Sequence, residues 1–137
     1  MNEPNSYTRH IECPPDDVDA VHNLLNSVWA DRPKISDTDR FSFETAIVEL
    51  TSNVIRHGDT GSGISCLITV NVFVDRIEAL LVDTGKIANI DLAETAMPDE
   101  HAESGRGIPL IKALVDSITY ARDGDRNRWQ FARKFTP

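Results

Sequence analysis

The stretch VELTSNVIRHG, residues 48–58, sets Glu49, Asn53 and His57 at intervals of four within a strongly apolar pattern. Four residues is a little more than one helical turn, so the three side chains lie near one stripe. Phe43, Ile47, Leu50 and Val54 fall on one side of the same helical wheel. Glu49 and Asn53 sit roughly 100° from them, at the border of the core and not fully outward. Glu, Asn and His together offer a base, a hard oxygen ligand and a nitrogen donor. An Asn oxygen suits Mg²⁺, which keeps most of its waters and takes few protein ligands. The plainer alternative is a solvated flank, since isolated polar residues on helices are mostly surface.

Working outward, this helix starts near Ser36 or Asp37, both good N-caps, and Gly58 is placed to end it as a C-cap glycine. Upstream, residues 6–13 read as a short edge strand. PPDDVDAVHNLLNSVWAD (14–31) reads as a helix, with Pro14, Pro15, Asp16 and Asp17 suiting its start and Val18, Val21, Leu25 and Val28 giving its period. Downstream, TGSG (60–63) is a turn. Ile64, Cys66, Ile68, Val70, Val72 and Val74 then alternate on one face, and RIEALLVD (76–83) follows as a second strand of a hairpin turning at 74–76. Residues 84–104 show no clear period, and an aperiodic stretch of that length within a domain is usually functional. GIPLIKALVD forms a short helix, and SITYARD, a DGDRN turn and RWQFARKF form a last hairpin. The order β-α-α-β-β-loop-α-β-β predicts an α+β two-layer sandwich with helices packed on a mixed, mostly antiparallel sheet.

The 137 residues suit one domain with one core. Fourteen basic against 22 acidic residues leave a net charge of −8, which argues against unspecific binding to nucleic acid or an anionic membrane. Two cysteines, Cys13 and Cys66, make no disulfide framework and favour a reducing cytoplasm. The polar start has no signal-peptide core, and no apolar run approaches the roughly 18 residues a membrane helix needs.

Two further motifs carry chemistry. In LLVDTG (80–85) a buried strand ends at Asp83 and turns at Gly85. Asp83 is either a turn starter binding its own backbone or an acceptor at a pocket mouth, with Gly85 permitting close approach of a flat ligand. In ESGRGIPLI (103–111) the glycines at 105 and 107 open a helix, where free N–H groups and the positive helix end attract an anion, and Arg106 adds charge. A flexible helix start is the plainer alternative.

Taken in order, Glu-x-x-x-Asn on a helix, Asp-x-Gly after a hairpin, a long loop and Gly-x-Gly into a helix resemble the Bergerat ATP-binding fold of the GHKL superfamily. Within it, ELTSNVIRHG and GRGIPLIKALVDSITY resemble the anti-sigma-factor serine/threonine kinases of the RsbW type over roughly residues 6–136. The resemblance implies that residues 1–137 form one such domain and that 86–104 form its ATP lid. It implies Glu49 as general base, Asn53 as Mg²⁺ ligand, and His57 near the nucleotide. Asp83 would accept the adenine amine, Gly85 would let the base approach, and Ser104, Gly105, Arg106 and Gly107 would cradle phosphate. ATP and Mg²⁺ are the implied cofactors. A sigma factor and a STAS-type anti-sigma antagonist are the implied partners, with the protein itself a cytoplasmic homodimer that contacts neither nucleic acid nor membrane. The alternative is a catalytically weak or inactive module that binds protein in a nucleotide-dependent way. Three departures stand out: Ile87 replaces a common second glycine, DEHAE (99–103) is acidic where a basic residue is usual, and Arg128 stands about where the last strand usually has threonine.

Overall fold

Ser36 starts the long helix, its hydroxyl accepting from the Asp39 amide at 3.1 Å. The computed structural model describes residues 3–88 and 107–137. The elements are β1 (Asn5–Cys13), α1 (Asp19–Asp31), α2 (Asp37–Gly58), β2 (Ile64–Val72), β3 (Arg76–Asp83), α3 (Gly107–Leu114), β4 (Ser117–Asp123) and β5 (Arg126–Lys134). This is the predicted order. The α1 helix begins later than predicted, because residues 14–18 form a turn in which Asp17 Oδ1 accepts the Asp19 amide at 2.9 Å.

The five strands run β1-β2-β3-β5-β4, and all four pairings are antiparallel. Among the described residues the sheet is therefore wholly antiparallel, without the parallel component expected of a mixed sheet. The chain leaves β3, passes through α3 and lays down β4 one position too far to pair with β3. The returning strand β5 fills the gap and runs against both neighbours.

Alternation decides which face is buried. Ile64, Cys66, Ile68, Val70 and Val72 of β2 point inward with Ile77, Ala79 and Leu81 of β3 and Trp129 and Phe131 of β5. They meet Val21, Leu25 and Val28 of α1 and Phe43, Ile47, Leu50 and Val54 of α2. Val74, predicted to continue that face, is 89% exposed because the hairpin turns there. Both cysteines are free and buried on the core side. Burial pushes the Cys66 thiol far up, with the Asp83 carboxylate adding to it, so the thiol stays neutral and unreactive.

The second anchor of the layers is a buried ion pair. Arg133 of β5 donates to Asp39 of α2 at 2.9 Å and to the Leu114 carbonyl at the end of α3 at 2.6 Å. Thr136 adds its amide and hydroxyl to the same carboxylate. Among the described residues no helix is long and apolar enough to cross a membrane.

Candidate functional site

Glu49, Asn53 and His57 come from the last two turns and more of α2, and the helix sets them as the spacing predicts. Glu49 and Asn53 are half-buried, and His57 is exposed. Asn53 meets α3 directly. A Cβ on Gly107 would lie 1.9 Å from Asn53 Nδ2, so any other residue at the start of α3 would have to displace the Asn53 amide. The Asn53 oxygen accepts from Arg56 Nη2 at 2.6 Å, and Arg56 Nε reaches His57 Nε2 at 3.4 Å. Among the described residues no cation pairs with Glu49.

The end of α2 is locked to the segment after β3. The Lys86 amide donates to the Gly58 carbonyl at 3.0 Å. A Cβ on Gly85 would stand 3.0 Å from the Gly58 Cα and 2.9 Å from Asp83 Oδ1. Gly58 is thus needed for close packing: it is the last residue of the helix, and its φ is not in the left-handed region.

Asp83 is 1% exposed and lies at the end of β3. Its Oδ1 accepts the Gly85 amide at 2.8 Å and Asn127 Nδ2 at 2.9 Å; its Oδ2 accepts the Trp129 indole at 3.0 Å. The turn-starter reading of Asp83 is correct as far as the Gly85 amide. A carboxylate offers about four acceptor sites, and three are taken, which leaves about one on Oδ2 for a ligand donor.

The sequence reading missed Asn127, Trp129, Tyr120 and Arg122. Arg128, which stands about where the family usually has threonine, is exposed, and its neighbours Asn127 and Trp129 are the ones that point in. β5 pairs with β3 so that Asn127 stands opposite Asp83. The signal available in the sequence was Asn127 itself: a polar residue in phase with the inward Trp129 and Phe131. Ser104, Gly105, Arg106, the acidic stretch 99–103 and most of the expected lid lie outside the described residues.

Basic groups gather at this end of an acidic chain: Arg56 and His57 close α2, Lys86 follows Gly85, and Arg122 Nη1 donates to the Gly85 carbonyl at 2.9 Å. The arrangement suits a ligand with a flat, amine-bearing end at Asp83 and an anionic end toward Asn53 and Gly107. Among the described residues no three His, Cys, Asp or Glu side chains gather to cage a metal. One Asn oxygen together with ligand phosphates is the donor set that Mg²⁺ accepts.

Comparison with known proteins agrees with this geometry. A family model described as the histidine kinase-like ATPase domain matches residues 11–132. No curated protein matches the chain. Among solved structures, the chain is similar to the histidine kinase domain of the blue-light activated histidine kinase of Erythrobacter litoralis EL346, with a TM-score of 0.53 and 10% identity. The match covers 85% of this chain and 60% of that one, so the chain spans less than two thirds of that structure. At that identity the likeness establishes the fold.

Proposed function

The chain belongs to the histidine kinase-like ATPase domain family, and we propose that within it the protein is an ATP-dependent anti-sigma kinase. In this reading it holds a sigma factor and phosphorylates a serine or threonine of a STAS-type antagonist, which keeps that antagonist from displacing sigma. Residues 1–137 act as one domain, residues 86–104 serve as the lid over ATP, and the protein works as a cytoplasmic homodimer. The observation that carries the nucleotide part is the contact of Asn53 with Gly107, which brings the metal-binding amide against the start of α3. The observation that carries the kinase part is Glu49, one turn from Asn53, half-buried and unpaired with any described cation.

The roles follow from position. Asp83 accepts the base amine through its remaining Oδ2 site, and Gly85 leaves room for the ring. Asn53 gives one oxygen to Mg²⁺, and Gly107, with Ser104, Gly105 and Arg106 before it, holds phosphate. Mg²⁺ held at Asn53 would supply charge neutralisation for the phosphates. Glu49 takes the proton of the substrate hydroxyl, a contribution of about 10²–10⁴ in rate. Positioning and charge neutralisation account for most of phosphoryl transfer.

A second reading, a nucleotide-dependent binding module without transfer, draws support from Arg56, whose guanidinium already occupies the Asn53 oxygen. The experiment is calorimetric titration of the purified chain with ATP and Mg²⁺, with Asp83→Asn as control, followed by phosphate transfer to a STAS-type protein. Saturable binding weakened by the variant supports the site. Absence of heat from folded protein overturns it, and binding without transfer to any acceptor selects the second reading.

A further inference from the structure

We propose that the free edge of β1 is the surface on which a second copy of this chain docks: the two β1 strands pair antiparallel about Thr8 and join the two sheets into one. The proposal rests on the homodimer part of the reading above and names its interface.

The β1 strand is nine residues long, lies at one end of the sheet, and runs in unbroken register with β2. Glu12 shows which of its backbone groups face away from β2. The Glu12 amide donates to Asp16 Oδ2 at 3.0 Å, and its carbonyl accepts the Asp16 amide at 2.8 Å. Backbone groups alternate in direction along a strand, so those of Ser6, Thr8 and His10 face the same way. Among the described residues no backbone group pairs with them, and all three residues are exposed.

This open stretch has definite ends. At one end Asp16 has taken both groups of Glu12, and at the other Pro4 has no N–H to give. Thr8 stands midway between them. Antiparallel pairing with Thr8 opposite Thr8 of the second copy sets Ser6 against His10, so each open N–H and C=O finds a partner. It also sets Pro4 against Glu12, the two positions that cannot pair. Any other antiparallel register sets an open group against a blocked one.

The side chains agree with this register. Arg9 is exposed, lies on the same side of the strand as buried Ile11 and Cys13, and has no partner among the described residues. A charge on an edge strand can serve to repel a stray strand. Here pairing about Thr8 puts Arg9 opposite Tyr7 of the second copy, and the Tyr7 hydroxyl is bonded to Asp31 Oδ2 at 3.1 Å. Pro4, Asn5, Ser6, Tyr7, Asp31 and Arg32 line a cleft of about 530 Å³ at that place. Arg9 of each copy enters the cleft of the other toward the Asp31 carboxylate, and the two-fold axis makes the contact twice.

The test is sedimentation velocity of the full chain over a concentration series, together with cysteine cross-linking. Wild type should dimerise. Thr8→Pro removes an N–H that β2 does not use, a position where an edge strand tolerates proline, and should raise the dimer dissociation constant at least about tenfold. Arg9→Glu should weaken the dimer too, and adding Asp31→Arg to the same chain should restore part of the loss, since the two charges are then exchanged. Under a mild oxidant Thr8→Cys should give a covalent dimer. Thr69→Cys, its neighbour on the same face of β2, should not. A monomer at every concentration overturns the proposal and the homodimer reading together, and leaves the nucleotide reading standing. A dimer that Thr8→Pro weakens less than about twofold, or one that cross-links through Thr69→Cys and not through Thr8→Cys, overturns the proposal alone. Should Thr8→Pro fail to fold, the charge exchange and the cross-links decide.

Discussion

Gly107 passes under Asn53 with no room for a methyl group, since an added Cβ would lie 1.9 Å from the amide nitrogen. The two residues are 54 positions apart, and their contact joins the C-terminal part of α2 to the start of α3. Gly107→Ala should therefore displace the Asn53 amide from the start of α3. Overpacking of this kind costs about 1–3 kcal/mol, and ATP affinity should fall at least about tenfold, the equivalent of roughly 1.4 kcal/mol. Chemical denaturation and calorimetry on the same preparation would separate the two losses.

The Gly58–Gly85 contact predicts an order of severity. A Cβ on Gly85 meets backbone, the Gly58 Cα at 3.0 Å, as well as Asp83 Oδ1 at 2.9 Å. A Cβ on Gly58 meets mainly the tip of the Ile64 side chain at 2.9 Å, which can turn aside. Gly85→Ala should cost more stability than Gly58→Ala, with the first near the upper end of about 1–3 kcal/mol. Melting temperatures of the two variants would check the order, and equal costs would contradict it.

Glu49→Gln should leave the fold and ATP affinity close to wild type, because Glu49 holds no described partner. Phosphate transfer should fall by about 10²–10⁴. A single-turnover transfer assay at saturating ATP measures this, and an unchanged rate would remove Glu49 from the role of base.

Asp39 predicts an acid limit to stability. Burial pushes its carboxyl upward, but the Thr136 amide, Arg133, Ser36 and the Thr136 hydroxyl outweigh that and hold it below the ordinary range. A carboxyl lowered in the folded state contributes stability above the unfolded value of about 4. That contribution is lost as pH falls through the folded value. Melting temperature should therefore drop on acidification below about pH 4, and less steeply in Asp39→Asn. At neutral pH Asp39→Ala, which strands Arg133, should cost about 3–5 kcal/mol.

Much of the fold was legible because its elements announce themselves locally. The period of Phe43, Ile47, Leu50 and Val54 marks α2, and the alternation of β2 marks a half-buried strand. Strand order was less legible. Nothing within residues 117–134 says that β5, not β4, will sit against β3, and with the register hidden nothing in the sequence sets Asn127 opposite Asp83. Glu49, Asn53, Asp83 and Gly107 were legible as candidates because each belongs to a short motif with its own spacing. Tyr120 and Arg122 belong to none. They enter through a hydrogen-bond relay that exists only once three strands are side by side.

The insertion of β5 between β3 and β4 has a consequence for synthesis. β5 is made after the four other described strands yet lies inside the sheet, and it carries Asn127, Trp129 and Arg133. While the ribosome is still translating β4, β3 has a bare edge, Asp83 lacks two of its three donors, and the Asp39 carboxylate has no guanidinium. The candidate site is therefore completed only when β5 emerges and threads home, and an interrupted chain ending at residue 123 should present an open, adhesive sheet edge to chaperones and proteases in place of a ligand-competent domain.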